Sequence, residues 1–231
     1  MNLQINKDTK LYGSFSETPG NNGCLFFNAA FEKHNINAIY KSFYSNDIKS
    51  TIQSVKHLQF SGFALSRPNK VSVIELLDEL DTHAEKIGAV NTVLIRDNKL
   101  IGYNTDWIGV YEFLKNKSIN HINIIGMGGF GKAIMYSLSK LNINFSIVSR
   151  NDISNIDDVT NQYFINATPI EINSIKNKII DLRPHTEDGK IVSKLQAIHQ
   201  FKIYTGINLS LIHISEPTRQ AEISYAVFCL K

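Results

Sequence analysis

Residues 121–133 decide the fold of this chain, and they read HINIIGMGGFGKA. The apolar run 121–125 is typical of a buried strand, and the glycines behind it are typical of a loop that opens a helix. In such a loop Gly126 permits a tight turn, Gly128 lets the backbone approach a pyrophosphate, and Gly131 allows close packing of the helix on the strand. The stretch predicts a dinucleotide-binding unit, and the alternative is a glycine-rich turn that binds no ligand.

Strand-like and helix-like patterns alternate on both sides of this loop. The spacing of apolar residues predicts strands at 11–15, 38–43, 60–65, 145–148, 163–165 and 178–181, helices at 25–34, 47–58, 71–80, 107–114 and 132–141, and a β-hairpin of 90–95 with 99–103. Such alternation predicts an α/β fold with a mostly parallel sheet. The pattern starts afresh near residue 106, where we place the boundary between two units.

The composition narrows the choice of partner and compartment. The 231 residues carry a formal net charge of +3, which is too small and too dispersed to indicate nucleic acid. The amino terminus is polar and no apolar stretch is long enough to span a bilayer, so neither a secretion signal nor a membrane anchor is predicted. The two cysteines, Cys24 and Cys229, fit neither a disulfide framework nor a zinc site. We therefore expect a cytoplasmic protein, monomeric or homodimeric, that binds a small molecule and no metal, nucleic acid or membrane.

Three short motifs precede the glycine loop and carry groups able to bind and protonate a hydroxylated acid. They read SRPNK at 66–70, GAVNT at 88–92 and GYNTD at 102–106. Lys70 can deliver a proton to the alkoxide that hydride transfer to a ketone creates, and Asp106 can orient the ammonium group. The motifs and the glycine loop together predict a nicotinamide-dependent dehydrogenase that acts on a small hydroxylated carboxylic acid.

Each of these residues also has a simpler structural interpretation. A single lysine is most often an ordinary surface residue, and Asn91 and Asn104 are typical of turns. Asp106 could cap the helix that follows it. The order and context of the motifs favour the functional interpretation.

Arg150 stands just after the predicted strand 145–148, where dinucleotide-binding proteins select their cofactor. An acidic residue there suits the ribose hydroxyls of NAD, whereas an arginine suits the 2′-phosphate of NADP. Arg150 therefore predicts NADP. A solvated surface arginine is the alternative, and the nearby Asp152 keeps NAD open.

Taken together, these motifs resemble those of the shikimate dehydrogenase family, and the resemblance runs from about residue 11 to residue 209. The similar segments are SFS at 14–16, SRPNK at 66–70, AVNT at 89–92, GYNTD at 102–106, GMGGFGKA at 126–133 and NATP at 166–169. The resemblance implies an amino-terminal α/β substrate domain plus a Rossmann-type NADP-binding domain. We assign residues 1–106 to the substrate-binding catalytic domain and residues 107–209 to the NADP-binding domain.

The resemblance also implies roles for individual residues. Lys70 and Asp106 would be the catalytic pair that interconverts 3-dehydroshikimate and shikimate, on the route to chorismate and the aromatic amino acids. The residues that would bind the carboxylate and hydroxyls of shikimate are Ser14, Ser16, Ser66 and Asn91. The residues that would bind NADP are Gly126, Gly128, Gly129, Gly131, Ala133, Arg150 and Thr168.

Two departures from the family pattern bear on function. Residues 14–21 read SFSETPGN where the main family has His-Ser-x-Ser-Pro, and this variation resembles the divergent shikimate dehydrogenase-like subgroup. It leaves a quinate/shikimate dehydrogenase-like paralogue or a non-catalytic ligand-sensing relative as alternatives. From Ser210 onward the chain resembles translated sequencing-adaptor read-through, so we predict that residues 210–231 are a non-native tail, with a genuine divergent tail as the alternative. We therefore expect the family's glutamine-bearing helix, which should follow Leu209, to be missing.

Overall fold

The computed structural model describes residues 5–209, which form two lobes, each built on its own β-sheet. The first sheet has six strands in the order β2-β1-β3-β5-β6-β4, with parallel pairs β1–β2, β1–β3 and β4–β6 and antiparallel pairs β3–β5 and β5–β6. Its strands are β1 (Lys10–Ser16), β2 (Ala38–Tyr44), β3 (Gly62–Leu65), β4 (Glu79–Leu80), β5 (Thr92–Arg96) and β6 (Lys99–Tyr103).

Three helices accompany this sheet: α1 (Asn22–Lys33), α2 (Ile48–His57) and α3 (Thr82–Ile87). Helix α2 begins where the carboxylate of Asp47 accepts hydrogen bonds from the backbone N–H groups of Lys49 and Ser50, as expected of an aspartate at the N-cap. Its apolar stripe, with Ile52 and Val55 buried, faces the sheet and closes one hydrophobic core. The predicted helices at 25–34 and 47–58 are thus confirmed.

The predicted hairpin is formed by β5 and β6, with Arg96 paired to Lys99. The two residues between them, Asp97 and Asn98, both have positive φ angles, of 50° and 63°. A two-residue turn with two left-handed residues matches the twist of the flanking strands, and Asp and Asn tolerate that conformation better than most residues.

The helix predicted at 71–80 is wrong. That segment holds one short 3₁₀ turn, Ile74–Leu76, and then strand β4, which pairs with β6. The backbone N–H of Leu100 donates to the Asp78 carboxylate at 2.7 Å, which fixes the strand against the sheet. The apolar spacing that suggested a helix instead buries Val73 under the sheet, because pairing with a distant strand overrides the local pattern.

The second lobe has four parallel strands in the order β10-β9-β7-β8, as expected of a Rossmann-type unit. They are β7 (His121–Ile125), β8 (Asn144–Val148), β9 (Tyr163–Asn166) and β10 (Lys178–Asp181). Helix α4 (Asp106–Leu114) leads into this lobe, and helix α5 (Gly129–Lys140) follows β7 through the glycine loop. Residues 122–125 of β7 are buried, which is typical of a strand covered on both faces. The α/β fold class with a Rossmann-type second lobe is confirmed.

A long helix that the sequence analysis missed, α6 (Glu187–Thr205), contacts both lobes. The Thr186 side chain caps its start by accepting a hydrogen bond from the Gly189 N–H, and Gly206 ends it with a φ of 76°. Val192 packs into the core of the second lobe, whereas Phe201 packs into an aromatic core on the α1 side of the first sheet. The expectation that a helix returning to the first lobe is missing is therefore wrong, because α6 makes that return before Leu209.

The predicted tail, with Cys229, lies outside the described residues. No helix within residues 5–209 has the length and apolar character needed to span a membrane. The domain boundary near residue 106 stays a prediction.

Candidate active site

Backbone hydrogen bonds bring the predicted substrate residues together at one end of the inner strands of the first sheet. The Leu65 N–H donates to the carbonyl of Asn91 at 2.9 Å, so Ser66, the next residue after β3, lies beside Asn91. The Val90 N–H donates to the carbonyl of Lys70 at 2.7 Å, which joins the second and first motifs directly. Residues that are far apart in sequence therefore share one site, because β3 ends where the antiparallel strand β5 begins.

Lys70 and Asp106 form a buried ion pair, as the sequence predicts. The Lys70 Nζ donates to Asp106 Oδ2 at 2.6 Å, and the two side chains are only 13% and 3% exposed. Lys70 is thus no ordinary surface lysine. Thr105, not Asp106, holds the N-cap position of α4, and the Asp106 carboxylate faces the site instead of capping the helix.

Asn91 fixes the other oxygen of Asp106. Its Oδ1 accepts from the backbone N–H of Thr105 at 2.7 Å, which settles the orientation of the amide because that N–H can only donate. Its Nδ2 therefore donates, to Asp106 Oδ1 at 2.9 Å and to the Gln196 Oε1 at 3.1 Å. Both oxygens of Asp106 therefore accept hydrogen bonds, which hold the carboxylate in one orientation.

Gln196 is a site residue that the sequence analysis missed. It lies on α6 and reaches Asn91 across 105 residues of sequence. The expected glutamine-bearing helix was placed after Leu209, whereas α6 precedes that position. The residues that cap α6, Thr186 at its start and Gly206 at its end, are of the types that indicate helix ends in a sequence, so they could have revealed the helix that carries Gln196.

The two predicted serines of β1 lie at different depths. Ser16 ends the strand and is 7% exposed. Ser14 lies inside the strand, where its hydroxyl donates to the Ser42 hydroxyl at 3.1 Å. Burial raises the pKa of Tyr40, so this phenol stays protonated and serves as a further hydrogen-bond partner of Ser14. Ser14 therefore belongs to a row of hydroxyl groups beneath α1.

Asn104 plays the structural role that its residue type suggests. Its Nδ2 donates to the carbonyl of Ala89 at 2.9 Å, and its Oδ1 accepts from the Trp107 N–H at 3.3 Å. These bonds hold the turn that leads into α4 and so position Asp106.

The glycine loop has the shape of an anion cradle and lies against Lys70. Gly126 has a φ of 103°, and a Cβ on Gly131 would lie 2.1 Å from the Gly126 carbonyl oxygen. A Cβ on Gly129 would lie 2.9 Å from the Cβ of Lys70, so the loop and the ion pair are in contact. A Cβ on Gly128 would meet no atom within 4 Å among the described residues. This open space at the amino end of α5 fits a pyrophosphate, which the N–H groups and dipole of the helix would bind.

Two other predicted cofactor residues flank this cradle. Thr168 lies beside the turn, with its Cγ2 2.9 Å from the position of a Cβ on Gly126. Its hydroxyl donates to Asn166 Oδ1 at 2.7 Å, at the end of β9. Ala133 is fully buried and packs with Ala89 of the first lobe, so it contributes to the contact between the lobes and not to the open cradle.

The end of β8 is described in part. Ser149 donates through its hydroxyl to the Asp152 carboxylate at 2.6 Å, and a 3₁₀ segment, Arg150–Asp158, follows. The side chain of Arg150 lies outside the described part of the structure, so the choice between NADP and NAD stays a prediction.

A family model and a relative of similar sequence both connect this chain with shikimate dehydrogenases. Residues 22–93 match a family model described as the shikimate dehydrogenase substrate binding domain. The chain is 41% identical over 154 residues to a shikimate dehydrogenase (NADP(+)) of Methanococcus maripaludis, a match that covers 64% of this chain and 55% of that relative. It thus spans about half the length of that relative.

Two solved structures superpose on most of this chain. Shikimate dehydrogenase 1 from Peptoclostridium difficile superposes with a TM-score of 0.76 at 25% identity, covering 88% of this chain and 94% of that one. A shikimate 5-dehydrogenase-like protein gives a TM-score of 0.76 at 26% identity, covering 92% of this chain and 97% of that one.

Proposed function

Because the chain belongs to the shikimate dehydrogenase family, we propose that it is an NADP-dependent oxidoreductase that interconverts 3-dehydroshikimate and shikimate, a step toward chorismate and the aromatic amino acids. The observation that carries the proposal is the buried Lys70–Asp106 pair in contact with the glycine loop. A proton donor and a cofactor cradle at one place are what the reduction of a ketone by a nicotinamide requires.

The ion pair supplies the proton chemistry. NADPH, when bound, supplies the hydride. Lys70 donates a proton to the ketone oxygen as it becomes an alkoxide, and in the reverse direction it removes the proton of the hydroxyl. Asp106 orients the ammonium through the 2.6 Å hydrogen bond and, held by Asn91 on its other side, stays in place while the lysine exchanges its proton.

The polar groups around the pair are suited to a substrate with several hydroxyls. Asn91 and Gln196 offer amide groups, and Ser66 an exposed hydroxyl at the end of β3. Ser14 and Ser16 are proposed to bind the carboxylate, as the family resemblance implies. Binding through several such groups orients the carbonyl toward Lys70, and this positioning accounts for much of the rate that an enzyme gains.

The cofactor is proposed to be NADP. The residues that would hold it are those of the glycine loop, with the pyrophosphate above Gly128, and Thr168 beside the turn. Arg150 would bind the 2′-phosphate through a charge-assisted hydrogen bond. The relative from Methanococcus maripaludis, a shikimate dehydrogenase (NADP(+)), supports this choice.

The compartment is proposed to be the cytoplasm, where Cys24, a free thiol, would stay reduced. The active form is proposed to be a monomer or a homodimer.

A quinate/shikimate dehydrogenase-like paralogue remains the second candidate, because residues 14–21 differ from the main family pattern at the proposed carboxylate site. A non-catalytic ligand-sensing relative is the less favoured candidate, because a sensor would not need a buried lysine and carboxylate joined at 2.6 Å.

The test is to incubate the full chain with NADP and either shikimate or quinate, and to follow NADPH by its absorbance. We expect NADPH to form with shikimate, and more slowly with quinate. A preference for quinate would favour the paralogue. Binding of shikimate by calorimetry without NADPH formation would favour the sensor.

A further inference from the structure

A second glutamine of α6, Gln200, lies one helical turn after Gln196 and is almost completely buried. It is 6% exposed, and its Nε2 donates to the hydroxyl oxygen of Thr92 at 2.8 Å. Thr92 is itself fully buried at the start of β5. A buried amide on a helix needs a partner, and this one finds it beside the active site, 108 residues away in sequence.

The direction of this hydrogen bond has a consequence for Thr92. A threonine hydroxyl has one proton to donate, and an amide nitrogen can only donate. Because Gln200 donates to the Thr92 oxygen, the Thr92 proton is free for a different acceptor. The Asn91 Oδ1 lies 2.9 Å away and accepts it.

The chain of hydrogen bonds continues to the catalytic pair. The Asn91 Oδ1 accepts from Thr92 and from the Thr105 N–H, so its Nδ2 points the other way, to Asp106 Oδ1 at 2.9 Å. Asp106 Oδ2 in turn accepts from Lys70. Donor and acceptor thus alternate in one sense from Gln200 through Thr92 and Asn91 to the carboxylate. Such chains strengthen each member by polarisation.

We infer that Gln200 is a positioning residue, which acts through Thr92 to hold the Asn91 amide on Asp106. The inference rests on the proposed function for its kinetic consequence, although the hydrogen-bond chain itself does not depend on which substrate is turned over. A merely structural Gln200 would fill space between α6 and the sheet, and its loss would affect stability without acting through Thr92.

A double-mutant cycle separates these two roles. Gln200→Met keeps the length of the side chain and removes the donor, and Thr92→Val keeps its shape and removes the hydroxyl. We expect Gln200→Met to lower kcat by about five- to tenfold, the factor of one lost hydrogen bond, with a smaller change in KM. In the Thr92→Val background Gln200→Met should have no further effect on kcat, because the link is already broken.

Two variants serve as controls. Thr92→Ser retains the hydroxyl and should recover most of kcat. Gln162→Met removes a glutamine whose Oε1 accepts from Asn123 Nδ2 at 2.7 Å, far from the site, and should leave kcat unchanged while costing similar stability. Additive effects of Gln200→Met and Thr92→Val, or an unchanged kcat in Gln200→Met, would overturn the inference.

A readout without turnover keeps the inference separate from the proposed function. The side-chain amide resonances of Asn91, identified in a ¹⁵N spectrum by their loss in Asn91→Asp, should move in Gln200→Met and Thr92→Val but not in Gln162→Met. If the parent protein turns over neither shikimate nor quinate yet these resonances move, the proposed function fails and the positioning role stands. Resonances that stay in place in Gln200→Met overturn the positioning role.

Discussion

Replacing Lys70 by methionine tests the proposed proton donor most directly. Methionine has a similar length and no proton to give, so the change removes the chemistry with little loss of volume. Losing a positioned general acid lowers kcat by about 10²- to 10⁴-fold, which corresponds to about 2.7–5.5 kcal/mol of barrier. Because the Lys70 ammonium pairs with a carboxylate only 3% exposed, Lys70→Met also leaves a buried charge without its cation.

The stability cost of that change can be separated from the catalytic cost. Breaking a buried pair by removing one partner costs about 3–5 kcal/mol, and the hydrogen bond from Asn91 to Asp106 Oδ1 should keep Lys70→Met near the lower figure. Adding Asp106→Asn removes the unpaired charge, so the double variant should regain most of the unfolding free energy. It should not regain kcat, since the proton donor is still absent.

The assays are NADPH formation from shikimate at saturating NADP and urea unfolding of each variant. Lys178→Met is the matched control, because the Lys178 Nζ lies 5.3 Å from the Tyr163 ring centroid much as the Lys70 Nζ lies 5.5 Å from that of Phe130, yet Lys178 is on β10 and outside the site. Its kcat should equal that of the parent. A kcat of Lys70→Met within a few-fold of the parent, with the protein folded, would refute Lys70 as the donor.

Three further predictions concern the cofactor, the loop and pH. Arg150→Ala should erase a preference for NADP over NAD that we expect to be at least about tenfold in kcat/KM, and equal use of both cofactors by the parent would contradict the assignment. Gly131→Ala should destabilise the protein by about 1–3 kcal/mol, because its Cβ would lie 2.1 Å from the Gly126 carbonyl oxygen, whereas Gly128→Ala meets no described atom within 4 Å and should keep the parent's melting temperature. Burial lowers the pKa of His199, so the unfolded chain binds its proton more readily and the unfolding free energy should fall as the pH drops below about 6.5. Urea midpoints measured across this range should show the fall, and His199→Gln should reduce it.

The parts of the fold that the sequence predicts well are those specified by neighbouring residues. Strand β7, the glycine loop and α5 follow one another directly. Two of the glycines are required by the turn itself, because Gly126 has a φ of 103° and a Cβ on Gly131 would lie 2.1 Å from the Gly126 carbonyl oxygen. The hairpin is equally local, since Asp97 and Asn98 alone set its turn. The Lys70–Asp106 pair was predictable for a different reason, because both residues lie within motifs that resemble a known family.

The predictions that failed concern segments whose structure depends on partners far away in the sequence. The segment at 71–80 has the apolar spacing of a helix, and only its pairing with β6 makes it a strand. Helix α6 lies between the lobes, so its buried residues, among them Val192 and Phe201, face different cores and form no single apolar stripe. Gln196 and Gln200 were missed with it, because a glutamine on an unrecognised helix gives no sign of partners more than 100 residues away.

The double attachment of α6 restricts how its length can change over evolution. Val192 is anchored in the second lobe and Phe201 in the first, and the two glutamines of the site lie between these anchors. Each residue of an α-helix adds about 100° of rotation and about 1.5 Å of rise, so one inserted or deleted residue between Val192 and Phe201 would turn one anchor out of its core. The Gly109 backbone adds to the constraint, since a Cβ there would lie 2.9 Å from the carbonyl oxygen of Val192. Descendants of this chain should therefore tolerate changes of length at the exposed turn around Ile175 far more readily than a single-residue change within α6.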